Sequence, residues 1–140
     1  MSRIMALDVG EVTIGVAVSD PLEVTAQPLT TVRRQGRRTD LAALRRLVDE
    51  HEVTQVIVGL PLRLGGERGS AALEAEAFAA WLREALSLPV TTWDERLTSV
   101  QAERVLLEAD VSRRRRREVI HQMAAALILQ SWLDCRAAAP

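Results

Sequence analysis

Apolar and polar positions along the chain follow two rhythms, a short one typical of strands and a longer one typical of helices. RIMALDV (3–9) is a short β-type run closed by Gly10, and TIGVAVSD (13–20) is a second, ended by Asp20-Pro21. VTAQPLTTV (24–32) is a weaker third strand, because Pro28 removes a ladder donor and suits only a sheet edge. TQVIVGL (54–60) carries a continuous apolar run after Gln55, the pattern of a strand covered on both faces. PVTTWDE (89–95) is the fifth. Elsewhere the period lengthens. Leu41, Leu44, Leu47 and Val48 share one face of a helix that Thr39 or Asp40 can cap and that runs to about Glu52. Ser70 can cap a second helix through Leu86, and Thr98 or Ser99 a third to about Ala109. A last helix, apolar on nearly every side, covers about Arg116 to Arg136.

The resulting order, β-β-β-α-β-α-β-α-α, predicts an α/β protein with a five-stranded mixed sheet flanked by helices. No repeat or linker interrupts it, so residues 1–140 are expected to form a single domain. A chain of this size buries roughly two-thirds of its unfolded surface, enough for a core without staples. Cys135 is the only cysteine and has no internal partner, which points to a reducing, cytoplasmic compartment. No apolar run approaches the ~18 residues of a membrane span, and the start MSRIMALDVG lacks a signal peptide's long apolar core.

Charge changes the picture through its distribution. The net value is −1, and all 18 basic residues are arginine. Six fall between Arg33 and Arg46, and five form the run Arg113, Arg114, Arg115, Arg116 and Arg117. Such clusters make local positive patches on a neutral body, suited either to phosphates or to a solvated helix face.

Three residues are costly where the pattern places them. Asp8 lies on the face of the first strand that carries Ile4 and Ala6, so it is semi-buried unless it opens an Asx-turn into Gly10. Glu95 ends the fifth strand on the face of Thr91 and Trp93, with Asp94 pointing away and Arg96 next in line as a partner. His121 shares a helix face with Ala124, Ala125, Ile128 and Trp132, which turns its ring inward, either as a hydrogen-bonded core residue or as a ligand. Together, two strand-end carboxylates and one imidazole would make a divalent-metal site of hard oxygens and one nitrogen. No Cys/His set of structural zinc and no Ser-His-Asp arrangement is evident. Two glycine-bearing segments, DVGEVTIG (8–15) and GLPLRLGGERGS (59–70), offer backbone donors for an anion, the second leading into a helix start at Ser70.

Four ordered stretches, LDVGEVTIGVAVSD, VIVGLPLRLGGERGS, WDERLTSVQAE and VIHQMAAALILQSWLD, spread over nearly all of the chain. In these it resembles the YqgF family, also called RuvX, Holliday-junction-resolvase-like proteins associated with pre-16S rRNA nuclease activity. The resemblance implies a ribonuclease H-like fold and a catalytic site of three acidic residues binding Mg²⁺ or Mn²⁺. The first acid maps onto Asp8 and the second onto Glu95. The third normally stands second in an I-D-x-x-A-A-x-x-I-L-Q pattern, where this chain has His121. An imidazole adds no negative charge and suits Mn²⁺ better than Mg²⁺. The family also often carries a basic residue just after D-x-G, where this chain reads Glu11-Val12-Thr13.

The chemistry implied is metal-assisted phosphodiester hydrolysis, with Asp8, Glu95 and His121 as catalytic and metal-binding residues. His121 would ligate a metal or protonate the leaving oxygen. Arg63, Arg68, Gly69, Ser70, Arg96, Thr98 and the run Arg113 to Arg117 would hold nucleic acid. The expected role is processing of the 5′ end of pre-16S rRNA in ribosome biogenesis. The alternatives are a Holliday junction resolvase of DNA recombination and repair, and a catalytically weak nucleic-acid-binding module. Junction cutting implies a two-fold homodimer; RNA trimming requires none. Actin-like ATPases and sugar kinases share a D-x-G strand-turn-strand, but they need two such domains around a cleft.

Overall fold

The computed structural model describes residues 2–63, 65–97 and 113–138, with side chains of the last stretch described from 119 onward. Five strands form one sheet in the order β3-β2-β1-β4-β5. They are β1 (Arg3–Val9), β2 (Thr13–Ser19), β3 (Ala26–Arg33), β4 (Val53–Leu60) and β5 (Val90–Asp94). The meander β1-β2-β3 is antiparallel, whereas β1, β4 and β5 run parallel. β1 is therefore the central strand, and its carboxyl end opens where the pairing changes sense. β3 forms the edge expected from Pro28, with a register irregularity in β2 between Val16 and Ala17 beside it.

Alternation along the strands divides the core into two layers. Met5, Leu7, Ile14, Val16, Val18, Val56 and Val58 face α1 (Arg37–His51) and α2 (Ser70–Leu86). Ile4, Ala6, Ala17 and Ile57 face α3 (Arg113–Ala138). The α/β class and the five-stranded mixed sheet thus match the sequence pattern.

Several boundaries differ. Helix α1 begins at Arg37, after Gly36 with φ 115°, so neither Thr39 nor Asp40 is the cap. Asp40 instead reaches back to accept the Gln35 N–H at 2.8 Å, satisfying a donor just outside the helix. Ser70 is the first residue of α2 and Gly69 precedes it, with no side-chain cap hydrogen bond. Glu95 falls one residue beyond β5, in a short 3₁₀ turn, Glu95–Leu97. The arginine run lies inside α3, whose start at Arg113 is three residues earlier than the apolar pattern suggests. The helix expected from Thr98 or Ser99 to Ala109 lies outside the described residues. Among the described residues, no helix is long and apolar enough to cross a membrane.

Candidate active site

Asp8 stands at the carboxyl end of β1, paired in register with Gly15 of β2. Gly15 decides what lies above it. A Cβ there would fall on the carbonyl group of His121, so α3 rests directly on the bare β2 backbone. That close approach brings the His121 ring over β1, and its Nδ1 lies 2.7 Å from Asp8 Oδ2. The ring edge packs against Gly10, where an added Cβ would sit 2.8 Å from His121 Cε1 and 3.1 Å from Nε2. The glycines of DVGEVTIG therefore accommodate a helix and a ring. The Gly10 N–H is spent inside its turn, donating to the Thr13 carbonyl at 2.9 Å.

Glu95 approaches from the other side. Gly59 of β4 pairs with Trp93 of β5, and a Cβ on it would come 3.4 Å from Cγ and Cδ of Glu95. The glutamate thus lies across the end of β4 toward β1. Both carboxylates are buried, Asp8 at 5 % exposure and Glu95 at 4 %. Asp8, Glu95 and His121 line one pocket of about 210 Å³, bordered by Pro61, by Ser70 and Ala71 in the first turn of α2, and by Glu74 one turn further on. This is the expected position for ligands of a parallel sheet, beyond the strands' carboxyl ends. Among the described residues, no three His, Cys, Asp or Glu side chains are gathered closely enough to hold one ion together.

Asp94 points away from this pocket, as the alternation predicts. Arg96 is its partner, donating from Nε and Nη2 to the Asp94 carboxylate at 3.1 and 2.8 Å. The guanidinium bond holds the Asp94 carboxyl below its ordinary pKa and raises that of Arg96. Arg96 was expected to hold nucleic acid; its fork is engaged within the chain.

The remaining expected contacts separate. Arg63 sits in a tight loop, accepting from Gly66 N–H and donating its own N–H to the Glu67 carbonyl, with its guanidinium against Gly69. Arg68 is exposed and pairs with Glu76 at 3.1 Å. Ser70 borders the pocket itself. Arg113 to Arg117 form the first turns of α3, and their side chains, like all of Thr98, lie outside the described residues. Sequence reasoning passed over Gly15 and Glu74. The signal for Gly15 was its place as a side-chain-free residue opposite Asp8; for Glu74 it was its position one turn into α2, four residues after Ser70.

A sequence profile described as "RuvX: Holliday junction resolvase" matches residues 2–135. The chain belongs to the RuvX family. A relative from Myxococcus xanthus, named as a proposed pre-16S rRNA nuclease, is 58% identical over 132 residues, covering 94% of this chain and 87% of that one. Another of the same name, from Moorella thermoacetica, is also 58% identical and covers 94% of both chains. Among solved structures, RuvC of T. thermophilus bound to a Holliday junction substrate superposes with a TM-score of 0.60 at 13% identity. That match covers 98% of this RuvX chain and 96% of the RuvC chain, and it establishes a shared, ribonuclease H-like fold.

Proposed function

We propose that this RuvX-family protein is a metal-dependent nuclease that hydrolyses phosphodiester bonds, its role being processing of the 5′ end of pre-16S rRNA in the cytoplasm. The observation that carries the reading is the convergence of Asp8 and Glu95, both nearly fully buried and from different strand ends, on one pocket with His121. The donor set fits a hard divalent cation, with Asp8 and Glu95 as the residues that would hold it. When bound, such an ion supplies charge stabilisation for the scissile phosphate and a nucleophilic water at neutral pH.

The chain's own groups do the rest. Asp8 presents one carboxylate oxygen to His121 Nδ1, which fixes the orientation of the carboxylate as an outer partner fixes a ligand. That hydrogen bond supports a positioning role for His121 ahead of a ligand role. The first turn of α2, at Ser70 and Ala71, offers its N-terminal N–H groups beside the pocket, where a substrate phosphate would be held. Ligation of the ion by His121 itself would favour Mn²⁺ over Mg²⁺, whereas a His121 that only orients Asp8 leaves an all-oxygen donor set that suits either ion. The names of the relatives support the RNA substrate.

The experiment is cleavage of matched pre-rRNA, single-stranded DNA and four-way DNA junction substrates by pure protein, with Mg²⁺ and with Mn²⁺. Metal-dependent cleavage of the RNA precursor above both DNAs is the expected result. Preferred symmetric cutting of the junction by a homodimer would replace the RNA reading with the resolvase one, and no cleavage of any substrate would leave only a binding module.

A further inference from the structure

A second cleft adjoins the active-site pocket and shares Val9, Glu11 and Glu74 with it. Its volume is about 560 Å³, within the roughly 300–1,000 Å³ typical of sites that take a small organic group. Its lining includes two arginines held over aromatic rings. Arg34 lies 5.7 Å from the centroid of Phe78, and Arg37 lies 5.4 Å from that of Trp81. The two rings meet edge to face at 5.3 Å, so the platform is continuous. Arg34 is also tied to the catalytic turn, donating from Nη1 to the Gly10 carbonyl at 2.8 Å.

The charge of the cleft selects its occupant. Glu11, Asp40 and Glu74 line it beside Arg34 and Arg37, three acids against two guanidiniums. A phosphate gains little there. A neutral heterocycle gains a surface of guanidinium and indole to stack on, and carboxylates that accept from exocyclic amino groups. Phosphates of the same strand would run outside, past the exposed Arg33 and Arg38.

We propose that this cleft receives an unpaired base of the substrate strand, one or a few nucleotides from the bond positioned at Asp8 and Glu95. The assignment rests on the nuclease reading above and adds a preference for single-stranded substrate next to the cut. A base paired in a duplex cannot enter, since its face is covered by its neighbours.

The test uses full-length protein in EDTA, so that nothing is cleaved. Probes are a single-stranded oligonucleotide carrying 2-aminopurine at successive positions and a blunt duplex of the same sequence. The parent should alter 2-aminopurine fluorescence at one or two positions only. Arg37→Ala and Trp81→Leu should each weaken single-strand binding about five-fold or more, with duplex affinity unchanged within about two-fold. Arg37 is exposed, so its variant stays informative even where Trp81→Leu folds poorly. Equal losses on strand and duplex, with a reduced salt slope, would mark Arg37 as a phosphate contact and overturn the proposal. Unchanged single-strand affinity in both variants would overturn it while leaving the nuclease reading intact. A parent that binds neither probe would remove the nucleic-acid reading itself, and this subsite with it.

Discussion

Near its carboxyl end, the sheet shows α3 a thin surface of Ala6, Gly15, Ala17 and Gly59, and α3 answers with Ala124, Ala125 and Ala126. Toward α1 and α2 the same strands show Met5, Leu7, Val16, Val56 and Val58, met by Leu44, Phe78, Leu82 and Leu86. Bulk holds the second face together, since each fully buried large aliphatic chain contributes roughly 1.5–3 kcal/mol. The thin face gives up part of that burial. In exchange, a helix backbone comes close enough to a strand to place His121 at hydrogen-bond distance from Asp8. The polar chemistry sits where side chains are smallest, because only there can two backbones bring functional groups within reach of each other.

The strongest way to break this contrast is Gly15→Val. Its side chain would overlap the His121 backbone, so α3 must lift. We expect a loss of about 3 kcal/mol or more, above the usual range for overpacking because backbone and not a side chain is in the way, together with loss of cleavage. Retention of parental stability and activity would show that α3 does not rest on β2 as described. Leu82→Ala probes the opposite face. It should cost about 2–5 kcal/mol in urea denaturation, yet the folded fraction should cleave within about two-fold of the parent. A variant that folds well but loses its activity would mean that the two faces are not separable.

His121→Ala sharpens the thin face without disturbing it. If the ring orients Asp8, half-maximal cleavage should need about ten-fold more metal, as for loss of an outer partner of a ligand. His121→Asn, which keeps a donor near Asp8, should restore part of the difference. A metal dependence identical to the parent's would reduce the histidine to packing. The smallest effect is expected at Asp94, outside both layers. Arg96 holds its carboxyl below the ordinary pKa, so the pair's contribution is present above about 3.9 and fades as pH falls through the lowered native value. Asp94→Asn should therefore shift the urea midpoint slightly at pH 7, and by progressively less as pH falls through the lowered native value. A difference that grew on acidification would contradict the pairing.

Much of this arrangement was legible in the chain. The period-two face of β1 separated Asp8, Ile4 and Ala6 from Met5 and Leu7, and the same alternation turned Glu95 away from Asp94. Pro28 marked the edge strand. The helix starts were less legible, because Gly36 and Gly69 end the preceding loops by backbone conformation while neighbouring Thr39, Asp40 and Ser70 carry the side chains of caps without acting as such. The partner of His121 was hidden for a different reason. It depends on a contact between α3 and β2 across more than a hundred residues, created by the absence of a side chain at Gly15. Local patterns record side chains, and this contact is set by a missing one. The Arg34–Phe78 and Arg37–Trp81 stacks were likewise invisible, since they join the β3–α1 connection and the first residue of α1 to α2.

The decisive comparison is cleavage of an RNA precursor by the parent, Asp8→Asn, Glu95→Gln and Asp94→Asn at saturating Mn²⁺, with RNA binding measured on the same preparations. We expect a loss of at least about a hundred-fold in Asp8→Asn and in Glu95→Gln, of the order attributed to removing one charge-stabilising group from an active site. Binding should be retained in both, and Asp94→Asn should cleave at a near-parental rate. Equal activity in all four proteins, or equal loss at Asp94 and Glu95, would contradict the placement of the chemistry on the α3 face.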